Sequence, residues 1–287
     1  MTWIDASPTI PPTDGKPMAT IELEKLDKAY AAQSGTGVLQ VLHDFSLTVH
    51  DGEFVCVLGP SGCGKSTTLD ILAGLTAPDA GRVSVDGSTD WAHLTCGYVF
   101  QRPQLLNWRT VRQNLEFALA GKGVPRNEWR AQTDKYLELV GLADFADAYP
   151  LSLSGGMQQR VSLARGLVIE PDVLLMDEPF SNLDELTARR LRVELLQVVA
   201  QQRTTVLFVT HNALEAAFLA DRICVVSSRP ARVIDEFTVP VGRPRSPEDP
   251  ALVEVQRRVL NMLEPDEEPE PAAPAVPFVP VIPISTT

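Results

Sequence analysis

The sequence predicts an α/β protein whose core of buried strands is interrupted by an all-helical insertion. Three observations lead there. From Ile21 onward, short β-like runs alternate with helical stretches. Several of those runs are apolar throughout, as strands covered by helices on both faces are. The block from Pro103 to Val168 carries helical patterns and no strand-like run, so it reads as a helical subdomain inserted into the α/β core.

At the N-terminus, residues 1–19 are rich in Pro, Thr and Ser, a composition that predicts disorder. The runs IELEKL, FSLTV, EFVCVLG, RVSVDG, CGYVFQ, DVLLMDEP, TVLFVTH and RICVVSS read as strands. Helices are expected after Lys65 and around Val111–Ala120, Arg126–Val140, Ser154–Val168, Leu186–Gln202 and Ala213–Leu219. A main domain of residues 20–245 therefore contains the helical subdomain at about 103–168, and a C-terminal helix comes next, within 246–263. In the last segment, 264–287, Pro271, Pro274, Pro277, Pro280 and Pro283 recur at the three-residue period of a polyproline II helix. That tail reads as unstructured, with docking into an aromatic-lined groove as the alternative.

Composition narrows the class. A chain of 287 residues can bury a sizeable core. No apolar run is long enough to span a bilayer, and the N-terminus lacks the basic and apolar regions of a secretory signal. The formal net charge of −12 argues against nucleic acid as a partner. The cysteines Cys56, Cys63, Cys96 and Cys224 have neither metal-ligand nor disulfide spacing, which fits a reducing cytosol.

The chemistry begins at GPSGCGKSTT. This segment sits between the apolar run Phe54–Leu58 and a predicted helix. Gly59, Pro60, Ser61, Gly62, Cys63, Gly64, Lys65, Ser66 and Thr67 have the spacing of a phosphate loop. Glycines let successive N–H groups turn inward around an anion, and the adjoining helix points its positive end at the same place. Lys65 would reach the β- and γ-phosphates, and Ser66 would ligate Mg²⁺. Cys63, beside Lys65 and a helix N-terminus, stands in surroundings that activate a thiol. Its oxidation or alkylation is therefore expected to block nucleotide binding.

A second apolar strand, VLLMD, ends in Asp177, placed to hold Mg²⁺ through water beside the phosphates. Glu178 comes next and is placed to polarise a water for attack on the γ-phosphate. Upstream, Ser154, Gly155, Gly156 and Met157 open another helix, and so a second anion site. One nucleotide has one set of phosphates. The surplus makes sense if the second site serves the nucleotide of another subunit.

Taken together, these segments resemble the ATP-binding-cassette (ABC) ATPases over roughly Ile21 to Arg245. LSGGMQQR is similar to the signature LSGGQ, GPSGCGKST to Walker A, and LLMDEPFSNLD to Walker B with the D-loop. GYVFQ is similar to the Q-loop, and VTHNALEAAFLADRICVVSSRP to the switch-histidine region. The resemblance implies a P-loop cassette with a RecA-like α/β core, an antiparallel β edge and the inserted helical subdomain. It assigns Gln101 to Mg²⁺ or the attacking water, His211 to the γ-phosphate, Tyr30 to adenine stacking and Asp184 to the dimer interface. Three segments, FQRPQLLNWRTVRQNLEFAL, DEPFSNLDELTARRL and SSRPARVIDEF, look most like ATPase subunits of nitrate, sulfonate and taurine importers. Asn107 stands where that subgroup commonly has proline.

The implied protein is an ATPase that drives uptake of a small anionic solute. Its cofactors are ATP and Mg²⁺, and its seat is the cytoplasmic face of the membrane. Its partners are an integral-membrane permease, a periplasmic or lipid-anchored solute-binding protein, and a second cassette in a homodimer or mixed pair. Rival readings fit less well. A cassette acting on DNA or ribosomes usually carries two cassettes, long coiled-coil insertions or basic arms. A small-molecule kinase would lack the LSGGM segment. An exporter subunit is often fused to its membrane domain. His43, His50 and His93 read as solvated loop residues.

Overall fold

The computed structural model describes residues 19–31, 37–246 and 248–263. The predicted disorder of the N-terminal tail and the polyproline pattern of 264–287 lie outside these residues, as does most of the AAQSGTG segment. Ala19 belongs to the fold rather than to the tail: it is buried, and its N–H donates to Asp51.

A six-stranded sheet carries the protein, in the order β5-β6-β7-β3-β8-β9. Its strands are β3 (Phe54–Leu58), β5 (Cys96–Val99), β6 (Val173–Asp177), β7 (Thr205–Thr210), β8 (Arg222–Val226) and β9 (Val233–Thr238). All pair in parallel except β9, which runs antiparallel to β8. Strands β3, β6 and β7 are buried at every position. Their unbroken apolar character comes from being covered on both faces.

The side chains of β3 show the two layers. Phe54, Cys56 and Leu58 face the helices α2 (Val111–Lys122), α3 (Arg126–Leu139), α4 (Gly155–Leu167), α5 (Glu185–Gln202), α6 (Ala213–Leu219) and α7 (Pro250–Leu263). Val55 and Val57 face helix α1 (Lys65–Leu72) and a second, three-stranded antiparallel sheet of order β2-β1-β4. That sheet comprises β1 (Ile21–Ala31), β2 (Val38–Val49) and β4 (Ala80–Val85). Between β5 and β6 the described chain is helical, with 3-10 turns at Ala143–Phe145 and Pro150–Ser152 between α3 and α4.

Three differences from the sequence reading have local causes. β1 and β2 run well beyond IELEKL and FSLTV, because their outer ends pair with each other while half exposed and carry polar residues such as Lys28 and Gln40. β9 has no counterpart in the predicted strands. It alternates half-buried and exposed residues at the sheet edge and includes Asp235 and Glu236. His43 lies within β2, not in a loop, and its Nδ1 is 2.7 Å from Asp27 Oδ1.

The C-terminal part is tied to α6. Arg245 donates to the carbonyls of Ala217, Phe218 and Ala220, and Arg243 to that of Leu219. These are orphan acceptors at a helix C-terminus, where cations are favoured. Burial pulls Arg245 down to about 10. Helix α7 packs against the same layer through Leu252, Val255 and Val259.

Candidate functional site

The phosphate loop leaves the C-terminal end of β3 and enters α1 at Lys65. The glycines have distinct structural reasons. Gly64 has φ +128°, and an added Cβ would lie 2.8 Å from Val41 Cγ1 and 2.9 Å from its carbonyl. Gly59 does not have a positive φ, but a Cβ there would meet Val226 Cγ2 at 2.5 Å. Gly64→Ala is therefore expected to cost about 1–3 kcal/mol from backbone strain alone and to abolish nucleotide binding. Thermal unfolding and a nucleotide titration check this; a variant as stable as the parent would contradict the steric account.

Lys65 is buried, and its Nζ donates to the carbonyls of Gly59 and Pro60, each at 2.8 Å. Its ammonium is thus held inside the loop by the loop's own backbone. Cys63 is also inside: it is buried, and its Sγ lies 4.0 Å from Lys65 Nζ. The expectation of a readily modified thiol is corrected here, because the side chain packs under the loop instead of lining the cleft. A cleft of about 340 Å³ opens above the loop, lined by Ser61, Gly62, Gly64, Lys65, Ser66 and Thr67 together with Gln101 and Glu178. Leu39, Val41 and Arg229 complete its lining, and the sequence reading singled out none of these three. Tyr30 is not in the lining. It pairs across the strands with Leu39, so it stands at the edge of that wall, with Lys28 Nζ 5.4 Å from its ring centre.

Parallel pairing of β6 with β7 and of β7 with β3 brings Asp177 to the same end of the sheet as the loop. Asp177 is buried, and the Ser66 hydroxyl hydrogen-bonds its carboxylate. Loss of solvent raises the Asp177 pKa, against the opposing effects of Ser66 and Lys65. Glu178, the next residue, has φ +44°, a conformation that turns its side chain out of the strand line. Its Oε2 accepts from Gln101 Nε2 at 3.2 Å, and its Oε1 lies 3.0 Å from His211 Nδ1. Three residues that are far apart in sequence thus converge on one carboxylate. Gln101 arrives from the end of β5 and His211 from the end of β7.

Behind His211 lies a buried charge cluster that the sequence did not reveal. Thr210 Oγ1 donates to Glu215 Oε2 at 2.8 Å, and Arg192 Nη1 stands 3.5 Å from Glu215 Oε1. Arg192 also bonds Glu185. Glu185 and Arg192 come from α5, Glu215 from α6 and Thr210 from the end of β7, and only their spatial neighbourhood joins them. Between those helices a second cleft of about 200 Å³ is lined by Glu178, His211, Ser181 and Glu185 among others.

The remaining predicted residues lie elsewhere on the monomer. Ser154 caps α4, accepting from the Met157 N–H at 3.3 Å. Gly155 is exposed, and a Cβ there would meet nothing within 4 Å. Neither Ser154, Gly155, Gly156 nor Met157 lines the cleft above the phosphate loop. Asp184 is exposed and caps α5 by accepting from the Thr187 N–H at 3.0 Å, and that backbone hydrogen bond lowers its pKa. The helical insertion is joined to the Gln101 segment: Gln159 of α4 donates to the Phe100 carbonyl at 3.3 Å, and Arg165 to that of Gln104 at 2.8 Å.

A phosphate loop with its lysine, a buried carboxylate on the neighbouring strand and a polar cluster about the next glutamate define a P-loop nucleotide-binding protein. The ABC transporter family pattern matches residues 42–181. The aliphatic sulfonates import ATP-binding protein of Burkholderia cenocepacia is 42% identical over 262 residues, 91% of this chain and 93% of that protein. The bicarbonate transport ATP-binding protein of Synechocystis is 41% identical over 267 residues, 90% of this chain and 94% of that protein. A solved dimeric bacterial ABC transporter cassette superposes with a TM-score of 0.70 at 31% identity, over 77% of this chain and all of that one. A second dimeric structure, in a post-hydrolysis state with ADP and phosphate, gives 0.69 at 30%, again over 77% of this chain and all of that one. The chain belongs to the ABC transporter family, as an ATP-binding cassette with ATPase activity.

Proposed function

We propose that this cassette is the ATPase subunit of an importer and energises uptake of a small anionic solute of the nitrate, sulfonate, taurine or bicarbonate kind. The hydrolytic part of this reading rests on one observation, the convergence of Gln101 and His211 on Glu178 beside the phosphate-loop cleft. The importer part rests on relatives whose names specify sulfonate import and bicarbonate transport.

In this reading the loop from Gly59 to Thr67 and Lys65 cradle the triphosphate, with adenine placed against the β1–β2 edge near Tyr30. Mg²⁺ fits the donor set: a buried carboxylate at Asp177, the Ser66 hydroxyl and the Gln101 amide oxygen are hard ligands. Among the described residues no three His, Cys, Asp or Glu side chains cluster to hold a metal. Mg²⁺ needs no such cage, since it binds through one or two protein oxygens, waters and substrate phosphates. Its contribution when bound is to neutralise phosphate charge. Glu178 orients and deprotonates the attacking water, Gln101 and His211 fix the carboxylate, and His211 contacts the γ-phosphate.

Ser154 and Gly155 are exposed, Gly156 and Met157 half-buried, and all four stand apart from the cleft, so they are assigned to the nucleotide of a second copy packed head to tail, with Asp184 at that interface. ATP closes the pair, and hydrolysis lets it reopen. The hydrogen bonds from α4 to the Gln101 segment carry that motion into the helical insertion. There Trp108, Phe117 and Leu151 are exposed apolar side chains, of a kind that a permease would cover. No helix among the described residues is long and apolar enough to cross a membrane. As an importer subunit the cassette works as a peripheral protein at the cytoplasmic face, served indirectly by a solute-binding protein.

The test is isolation of the chain from native membranes in mild detergent. A polytopic permease together with an anion-binding receptor is the expected result, and the receptor's ligand names the solute. A permease without a receptor overturns import. Ribosomal proteins or the absence of any membrane partner overturns transport.

A further inference from the structure

The segment SSRPAR between β8 and β9 has no task in hydrolysis or pairing, yet it reaches the nucleotide cleft. Arg229 lines that cleft beside Gly62, Lys65 and Val41. Its guanidinium grips the loop: Nε donates to the Gly62 carbonyl at 3.0 Å, and Nη2 bonds the same oxygen. Gly62 itself has φ +73°, so the bond fixes a peptide whose conformation is otherwise loosely determined.

The turn that carries Arg229 is itself fastened. Ser227 N–H donates to the Arg232 carbonyl at 2.9 Å, and Ser227 Oγ to that of Pro230 at 3.0 Å. Ala231 N–H donates to Val41 at 2.8 Å, and His43 N–H to Ala231 at 3.2 Å. The guanidinium is therefore delivered to the cleft from a turn pinned on two sides, and little freedom remains to be lost when an anion arrives. Lys65 holds the loop from within, through Gly59 and Pro60, while Arg229 holds it from the rim. Two cations thus stand on one phosphate-seeking loop, of which the phosphate-loop motif contains only the lysine.

We infer that Arg229 is a further nucleotide-binding residue, which fixes the Gly62 peptide and adds a permanent positive charge at the polyphosphate end of the cleft. The inference rests on the reading of that cleft as the ATP site. Charge-assisted contacts to phosphate are among the stronger polar interactions, and a fixed charge near the anion also raises the rate of encounter.

The experiment measures equilibrium binding of a fluorescent ATP analogue, and of ADP in competition, to the full chain and to Arg229→Gln and Arg229→Ala. Glutamine can still donate to Gly62 but lacks the charge. Both variants are expected to bind about three- to tenfold more weakly, with a reduced salt dependence of Kd. Their nucleotide-free unfolding midpoints should match the parent, because Arg229 is exposed. Arg229→Gln binding within twofold of the parent overturns the cationic role, including when Arg229→Ala alone is weakened. A parent chain that binds no ATP overturns the underlying reading of the cleft instead.

Discussion

Replacing Glu178 by glutamine is expected to lower ATP turnover by about 10²–10⁴-fold, the contribution of a positioned general base, while ATP still binds. The geometry separates the two effects. Glutamine has nearly the same shape, so Gln101 and His211 can still meet it, and the phosphate loop does not depend on it. The basic oxygen between them is lost. Phosphate release under saturating ATP measures turnover, and titration with labelled nucleotide measures binding. If hydrolysis is the step that reopens the paired cassettes, this variant with ATP should elute as a dimer and stay one. Turnover within tenfold of the parent would remove Glu178 from the role of base. Loss of binding together with turnover would instead make it part of the nucleotide cradle.

The second large effect is on stability. Arg192→Met is expected to cost about 3–5 kcal/mol at pH 8, because it strips the partner from a buried carboxylate. Arg192 is 2% exposed and Glu215 is 5% exposed, so neither charge has water to fall back on. Burial already holds the Glu215 pKa above its ordinary value, against the hydrogen bond from Thr210 and the charge of Arg192. The folded state therefore binds this proton more tightly than the unfolded chain does. Its contribution to stability is complete below the unfolded value of 4.5 and is lost as pH rises through the folded value. Without Arg192 the folded value rises further, so the loss at pH 5 should be visibly smaller than at pH 8. Urea unfolding at the two pH values checks the sign, and equal losses would refute it. The double variant Arg192→Met with Glu215→Leu should recover most of the stability, because a well-packed apolar pair needs no counter-charge.

Much of the fold was legible because its signals are local. VLLMD and TVLFVT are buried on both faces and read as unbroken apolar runs, and the phosphate loop is one continuous segment. β9 was not legible, because an edge strand with half-buried Asp235 beside exposed Glu236 resembles a polar loop. In the candidate site, Lys65, Ser66, Asp177 and Glu178 emerge from motif and strand register. Gln101 and His211 needed the family resemblance, since a lone glutamine or histidine after a strand carries no chemistry of its own. The Arg192–Glu215 pair and Arg229 were out of reach for a different reason. Each depends on which helix or turn lies beside which, a long-range fact that no spacing within one segment encodes.

The arginine brace at the end of α6 has a practical consequence for anyone trimming this protein to a minimal cassette. The family pattern ends at residue 181, before β7, β8 and β9, so it sets no end point for such a cassette. A chain cut before Arg243 would leave the carbonyls of Ala217, Phe218, Leu219 and Ala220 without their donors, at the far end of the short helix that begins just after His211. Such a truncation also removes α7 from this layer, and it loosens the helix whose N-cap, Asn212, directly follows the histidine. Activities compared between shortened and full-length cassettes of this kind therefore need a shared end point no earlier than Arg245.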